Sequence, residues 1–559
     1  MVEEKPSLTE AQRHGGKSAL ISVSLRLRER FCVALNARLA QRSSPTTQSD
    51  ATRRPVFYLL LNQFYPPDPA PTGVYLHDLA RTLARRGHRV QVFCSRRSYD
   101  GTQSYPCREL RNEIEVVRLP AFGFGRKSSL GKLADYSTFY ASLLVRLMMM
   151  RRSPDIILSL TTPPYLGLLG KIAAWRHHCR HAHWIMDLYP DVLLAHELSR
   201  NHFGRARSSS ASEGRARLPG APDAGSQERD ASNMPGWPGR SSPTTPGRPS
   251  GPTLPGATGS IAKCPAGPGG PALPHPVGPA VRPYLARRAD SLIQRILQRL
   301  TRFQLRGAQI VLTLGPVMAE KVSRYVQNHN PKEEVSKPST ASLHWLPLWA
   351  DNDLAPSPAN QPNPMRMQRG WQTDETVLLY SGNMGLGHRF DEFLEAACRL
   401  GDPGPRWVFS GGGKRRAEIV AFAQAHPEAR IELLDYVSHS ELRVHLCAAD
   451  VHLASMDSAW NGLMAPSKLQ ASFAVGRPVI YVGGRTCETA AWIQESGGGW
   501  IVGEDDVEGL LAAVHAALDP GERIRRGQAA FRYAQECFRM EKNCEQIADL
   551  LESGAMSTR

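Results

Sequence analysis

Three short stretches place glycines, a hydroxyl or a cation at a point where the chain turns between strand and helix. The first is Tyr380-Ser381-Gly382-Asn383-Met384-Gly385-Leu386, with His388 just beyond it. Glycines at a strand-to-helix turn let the backbone come close to a diphosphate while the following helix presents its N-terminal amides. A purely structural turn is the competing reading of Gly382, Asn383 and Gly385. The second, Ser410-Gly411-Gly412-Gly413-Lys414-Arg415-Arg416, attaches positive charge to a similar turn. It lacks the glycine, lysine and hydroxyl order of a Walker loop, which disfavours ATP hydrolysis. Gly412 and Lys414 point toward an anion, while Arg415 and Arg416 read equally well as solvated basic residues. In the third, Ala465-Pro466-Ser467-Lys468, Ser467 is placed to cap a helix. Lys468 then sits at the unfavourable end of the helix dipole, an arrangement that makes sense if an anion lies opposite. An ordinary cap with a solvated lysine is the alternative.

Carboxylates and hydroxyls gather earlier in the chain. Trp184-Ile185-Met186-Asp187 reads as an apolar strand ending in a carboxylate, followed by Leu188-Tyr189-Pro190-Asp191. Asp187 at a strand end would project into a crevice, able to orient a hydroxyl or receive a proton. A turn or helix-cap aspartate is the other reading, and it applies to Asp191 as well. Between Tyr65 and Gly73 a proline-rich loop precedes a helix, with Thr72 the natural cap and Gly73 beside it. Asp351-Asn352-Asp353 falls in a connection and reads as a turn rather than a metal-binding pair. The ten cysteines are scattered, with no Cys-x-x-Cys pair and no zinc-finger spacing, which fits a reducing compartment.

These residues need elements to hold them. Val56 to Leu61 is a continuous apolar run, as a buried parallel strand should be. A helix through Leu76, Leu79 and Leu83 follows, closed by Gly87, and Val90 to Cys94 makes the next strand. Strand, loop, helix, glycine, strand is a right-handed crossover unit. Further strands are predicted at 115–119, 155–160, 183–186 and 310–314, and a helix resumes at Tyr284. The same grammar restarts with strands predicted at 376–380, 407–410, 431–434, 451–454 and 478–482, with helices between them. The expectation is α/β: two Rossmann-like doubly wound domains facing across a cleft at the strand carboxyl ends. The predicted division is a basic tail at 1–54, a first domain at 55–345 and a second at 346–552.

Composition adds limits. With 559 residues and 41% apolar content the chain exceeds one core. Residues 204–283 turn to Gly, Pro, Ser, Ala and Arg, a composition that cannot bury enough surface to offset ordering entropy, so a disordered insert within the first domain is predicted. No apolar run reaches the roughly 18 to 20 residues of a spanning helix. The N-terminal tail mixes Lys17, Arg26, Arg28 and Arg30 with Leu20, Ile21, Leu25 and Leu27, without the form of a secretory signal. A basic amphipathic helix on anionic lipid, a disordered extension and a start placed too far upstream are its three readings. The net charge of +16 invites nucleic acid, anionic lipid or phosphorylated substrates. Nucleic acid is disfavoured, because no recognition helix or interleaved exposed aromatics accompany the charge.

Taken in order, these motifs resemble glycosyltransferase family 4, in its branch of exopolysaccharide, O-antigen and colanic-acid-type enzymes. The resemblance rests on Phe64-Tyr65-Pro66-Pro67 with Thr72-Gly73, Gly87-His88-Arg89-Val90, Asp187-Leu188-Tyr189-Pro190-Asp191, the Gly382 turn with His388, Pro466-Ser467-Lys468 and Gly476-Arg477-Pro478-Val479. It implies the GT-B fold and retaining hexosyl transfer, without a bound metal, from a UDP- or GDP-sugar to a glycan or polyprenyl-linked acceptor. It also implies a cytoplasmic enzyme, peripheral on the inner membrane face. Thr72, Gly73, Tyr189 and Asp191 fall on the acceptor side, Asp187 in the catalytic position. Departures exist: Leu463 and Ala471 stand where many members carry glutamates, and Glu488 is the candidate for part of that lost role. A nucleotide-sugar epimerase of the same fold and a non-catalytic glycan- or lipid-binding scaffold are the rival readings.

Overall fold

The computed structural model describes residues 54–99, 101–121, 129–195, 292–327, 341–358, 361–464 and 468–553. The predicted tail, the predicted insert, the predicted helix start at Tyr284 and Ser467 lie outside them. Both sheets of the fold belong to one compact unit, Val56–Arg559.

The first sheet comprises β1 (Phe57–Leu61), β2 (Arg89–Ser95), β3 (Arg108–Arg111), β4 (Ile114–Leu119), β5 (Ile156–Ser159), β6 (Arg180–Trp184), β7 (Ile310–Thr313) and β8 (Ser342–Trp345). Their order is β3-β4-β2-β1-β5-β6-β7-β8, and every pairing is parallel except β3 with β4. Alternation along β1 explains the layers. Tyr58 and Leu60 pack toward helix Pro71–Arg85, while Leu59 and Leu61 pack toward helices Ser129–Met148 and Leu166–His177. A strand covered on both faces must be apolar throughout, as this one is.

The second sheet comprises β9 (Val377–Ser381), β10 (Arg406–Ser410), β11 (Ile431–Leu434), β12 (Val451–Met456), β13 (Val479–Gly483) and β14 (Gly499–Val502). It is parallel throughout, in the order β11-β10-β9-β12-β13-β14. The order reverses between β9 and β12, so the loop leaving β9 opens at the topological switch point, where doubly wound sheets bind ligands. That loop begins at Gly382. In the first sheet the corresponding reversal lies between β1 and β5, beside the loop that carries Thr72.

Last comes helix Met540–Ser553, which the sequence groups with the second half. It packs instead on helix Pro71–Arg85 of the first. Its Cys544, Ile547, Ala548 and Leu551 are buried there, and Arg86 binds Glu545, Asp549 and Glu552. A helix so short of local partners goes wherever its apolar stripe is covered, and the stripe alone does not say which half covers it.

Candidate active site

The two glycine turns of the second sheet are interlocked through their backbones. Gly382 donates to the Ser410 carbonyl at 2.9 Å, Met384 to Gly412 at 2.7 Å and Arg415 to Met384 at 3.0 Å. A Cβ at Gly411 would overlap the Gly382 carbonyl, and one at Gly413 would overlap the Met384 carbonyl. Both residues also have positive φ, 121° and 135°, so glycine is required twice over. Gly412 lies against the exposed ring of Tyr436.

Lys468 opens helix Lys468–Ala474 and reaches across to this pair of turns. Its Nζ lies 3.4 Å from His388 Nε2 and 4.9 Å from the Tyr380 ring centroid. Its Cε would be 3.1 Å from a Cβ placed on Gly382. No carboxylate pairs with it among the described residues, and burial alone holds its pKa down to about 8. The His388 ring is fixed: Nδ1 donates to the Ser455 carbonyl at 2.6 Å, which leaves Nε2 as an acceptor facing the ammonium. Burial first, then Lys468, pushes the His388 pKa down to about 3, so the ring stays neutral. An ammonium held in protein without a counterion, over a turn rich in backbone N–H groups, is an arrangement completed by an anion.

The charges on the second turn divide differently from the sequence reading. Arg415 is buried rather than solvated: it donates to the His388 carbonyl at 2.8 Å and binds Asp391 and Glu418. It therefore braces the first turn. Arg416 donates to the Gly411 carbonyl and to Asp435. Lys414 and Asn383 are exposed on the surface of the turns, and Gly385 lies between Asn383 and His388.

On the first sheet Asp187 follows β6, its backbone N–H bound to Thr161 Oγ1 at 3.2 Å at the end of β5. The half-buried carboxyl makes no side-chain hydrogen bond among the described residues, and burial raises its pKa to about 6. Tyr189 is half-buried beside the ring of Tyr165, and its phenol is pushed up by burial and then by Asp187. Asp191 is engaged, accepting the Tyr325 hydroxyl at 2.6 Å. Thr72 is not a cap. The N-cap is Ala70, and Thr72 Oγ1 accepts from Asn62 inside the first turn. Gly73 gives the helix room against the Phe64 and Tyr65 backbone.

The two halves meet at this point. Leu188, next to Asp187, donates its N–H to the Leu463 carbonyl at 2.9 Å. Leu463 lies five positions before Lys468, so the Asp187 loop and the Lys468 segment flank one interdomain contact. Glu488 does not face open space, as a sugar-holding residue would. Its carboxylate accepts the Met318 N–H at 2.8 Å, at the start of helix Pro316–Val326. Sequence reasoning missed Asn62 and Gln63, which directly follow β1 and have buried side-chain oxygens without a partner, Asn62 Oδ1 and Gln63 Oε1. The only available signal was an Asn-Gln pair closing an apolar run. Asp351 and Asp353 do form a turn, with Asp351 paired to His439 at 3.0 Å.

The model of the glycosyl transferase 4-like domain matches residues 72–219, and that of glycosyl transferases group 1 matches residues 375–519. The probable glycosyltransferase WbjE of Pseudomonas aeruginosa is 26% identical over 226 residues, covering 40% of this chain and 53% of that protein. The putative colanic acid biosynthesis glycosyl transferase WcaI of Escherichia coli K12 is 24% identical over 231 residues, covering 40% of this chain and 54% of that protein. The chain thus spans about half the length of the curated relatives it matches. Among solved structures, Anabaena HepE in complex with UDP-glucose superposes with a TM-score of 0.52 at 12% identity, over 89% of this chain and 100% of that one. The fold is that of the GT-B glycosyltransferases.

Proposed function

We propose, from the premise that this chain belongs to the GT-B glycosyltransferases, that it transfers a hexosyl residue from a UDP- or GDP-sugar to a glycan or polyprenyl-linked acceptor, in the assembly of a cell-surface polysaccharide. The observation that carries this reading is Lys468: a half-buried lysine with no acidic partner among the described residues, poised over the Gly382 turn at the switch point of the second sheet. In this reading its charge and the backbone N–H groups of Asn383, Gly385 and Gly412, which, unlike those of Gly382 and Met384, are not spent on backbone carbonyls, receive the diphosphate and stabilise it as it departs. That assigns to the protein's own cation the role that a metal has in other transferases. Asp187, whose carboxyl is raised toward neutrality and has no side-chain partner, orients the acceptor hydroxyl or takes its proton from across the cleft. Asn62, whose amide nitrogen is spent on Phe64 and Thr72 but whose Oδ1 has no partner, accepts a hydroxyl of the acceptor. The names of WbjE and WcaI and the UDP-glucose held by HepE support the class of donor and product. The transfer retains anomeric configuration and takes place at the cytoplasmic face of a membrane.

A thermal-shift panel of UDP, GDP, ADP and dTDP with the purified chain tests the donor. A ligand at about 100 times its Kd should stabilise the fold by about 2.7 kcal/mol, and one base should stand out. If none of the four moves the transition, the donor site is misassigned. The matching nucleotide-sugars are then supplied with and without acceptor. Conversion of the sugar in the absence of acceptor, with no nucleoside diphosphate released, would replace transfer by epimerisation.

A further inference from the structure

The geometry points to a second ligand site, for a borderline divalent cation of the zinc class, formed by Cys398, His426 and Glu428 at the end of the second sheet opposite the glycine turns. Cys398 lies in the last turn of helix Asp391–Leu400, just before the chain enters β10. His426 follows helix Arg416–Ala425, and Glu428 lies in the short turn Pro427–Ala429 that leads into β11. Three donors of different elements converge. Cys398 Sγ is 3.6 Å from His426 Nδ1 and 3.6 Å from Glu428 Oε1, and those two are 2.9 Å apart. A tetrahedral zinc ion, with bonds of about 2.3 Å to sulfur and about 2.0 Å to nitrogen or oxygen, sets its sulfur about 3.5 Å from each of the other ligands. The sulfur distances already meet that figure, and only the His426 to Glu428 pair must open, by a few tenths of an ångström.

Two further observations favour a cation there. Both helices end at the site, so their negative dipole ends converge on it. The His426 ring is also held in place by Phe422, with centroids 4.4 Å apart. Thiolate, imidazole and carboxylate together select zinc, cobalt or nickel over magnesium and calcium, which prefer all-oxygen sets. In the metal-free protein the thiol keeps its proton, and Glu428 raises the Cys398 pKa further after burial has begun to do so. Binding replaces that proton: the S–H bond breaks, a sulfur–metal bond forms and one proton leaves to solvent, with no change of oxidation state. A water fills the fourth position, since the site is half open.

The consequence is mechanical. The same two helices begin just after the glycine turns, at Asp391 and Arg416. An ion would clasp their far ends and stabilise the second sheet without touching the nucleotide region.

The test uses the purified chain, reduced and stripped with a chelator, titrated with cobalt(II). A thiolate-to-cobalt charge-transfer absorption should grow to one equivalent and be displaced by zinc. It should vanish in Cys398→Ser and persist in Cys107→Ser, Cys107 being an exposed cysteine near β3 of the first sheet. Zinc, and not magnesium, should raise the melting temperature of the wild type and leave Cys398→Ser and Glu428→Gln unmoved. Absence of the band at one equivalent, its survival in Cys398→Ser, or a zinc shift that persists in both variants overturns the site.

Discussion

Glu488 of the second half caps a helix of the first: its carboxylate accepts the Met318 backbone N–H at 2.8 Å. Helix Pro316–Val326 starts after Gly315, which has no side chain to satisfy the free donors of the first turn. A Cβ at Gly315 would overlap Glu488, so the glycine that cannot cap also makes room for the residue that does. The cap therefore works only while the halves are together.

Glu488→Ala should destabilise the protein by roughly 1 to 3 kcal/mol, the range for a charged hydrogen bond at a helix start, and Glu488→Gln by less because an acceptor remains. Urea unfolding gives the number. An unchanged midpoint with a steep rise in donor KM would instead return Glu488 to the sugar-holding role that the sequence suggested.

Lys468 makes nucleotide binding dependent on pH. Burial holds its pKa down to about 8 in the free protein, and a diphosphate beside it would lift that value. The complex then holds more protons than the free site above about pH 8, so binding takes up a proton and affinity falls as pH rises past that point. Titration calorimetry in buffers of different ionisation enthalpy reads the uptake. Lys468→Gln should flatten the profile and lose about ten- to hundredfold in nucleoside diphosphate affinity at pH 7, with nucleoside binding little changed. Equal losses for both ligands would make Lys468 structural.

Asp187 carries an opposing cost. Its folded pKa, about 6, is raised from the ordinary 3.8 by burial, so the native state binds the extra proton between those values and stability falls as pH rises through that window. Asp187→Asn should therefore raise the melting temperature at pH 7.5, by up to about 3 kcal/mol of stability, and lose that advantage below about pH 4. Turnover should fall about 10²- to 10⁴-fold while nucleoside diphosphate binding stays. A stabilised variant with full activity would remove Asp187 from the chemistry.

Legibility in the sequence tracks physical locality. Val56 to Leu61 and the helix Asp391–Leu400 announce themselves because burial on both faces, or on one stripe, is written in consecutive residues. Strand β3, Arg108-Glu109-Leu110-Arg111, has no apolar run because it is a half-exposed edge paired on one side only, and so it gave no signal. In the sequence Arg415 reads equally as an anion ligand or a solvated cation, because Asp391, Glu418 and the His388 carbonyl are brought to it only by the fold. The capping role of Glu488 is invisible in the sequence for the same reason: its partner lies 170 positions earlier. Glycines 411 and 413 read as a turn in the sequence, but the need for them, the Gly382 and Met384 carbonyls, belongs to a neighbouring strand's loop.

The last prediction concerns the outer face of the first sheet. Helices Ser129–Met148, Leu166–His177 and Leu292–Leu305 pack in sequence along it. Phe139, Leu143 and Leu147 are spent on the core, but Val145, Met149, Ile172, Trp175, Ile296 and Phe303 are exposed, Trp175 to 77%. The same segments also expose Arg151, Arg152, Arg176, Arg299 and Arg302, whereas residues 129–152, 163–180 and 292–309 contain a single acid, Asp135. Exposed apolar side chains and arginines carried by the same segments, with almost no negative charge, match an anionic lipid surface better than water. Each basic residue that reaches such a surface contributes about 1 kcal/mol, less as salt rises. No helix among the described residues is long and apolar enough to cross a membrane. Flotation with phosphatidylglycerol vesicles should carry the protein up at low salt and release it at high salt, while neutral vesicles leave it behind. Trp175→Ser with Phe303→Ser should weaken flotation at least tenfold without altering nucleoside diphosphate binding. Flotation that is indifferent to this pair would move the contact to another face, and flotation on neutral vesicles that salt cannot reverse would replace electrostatic docking by insertion.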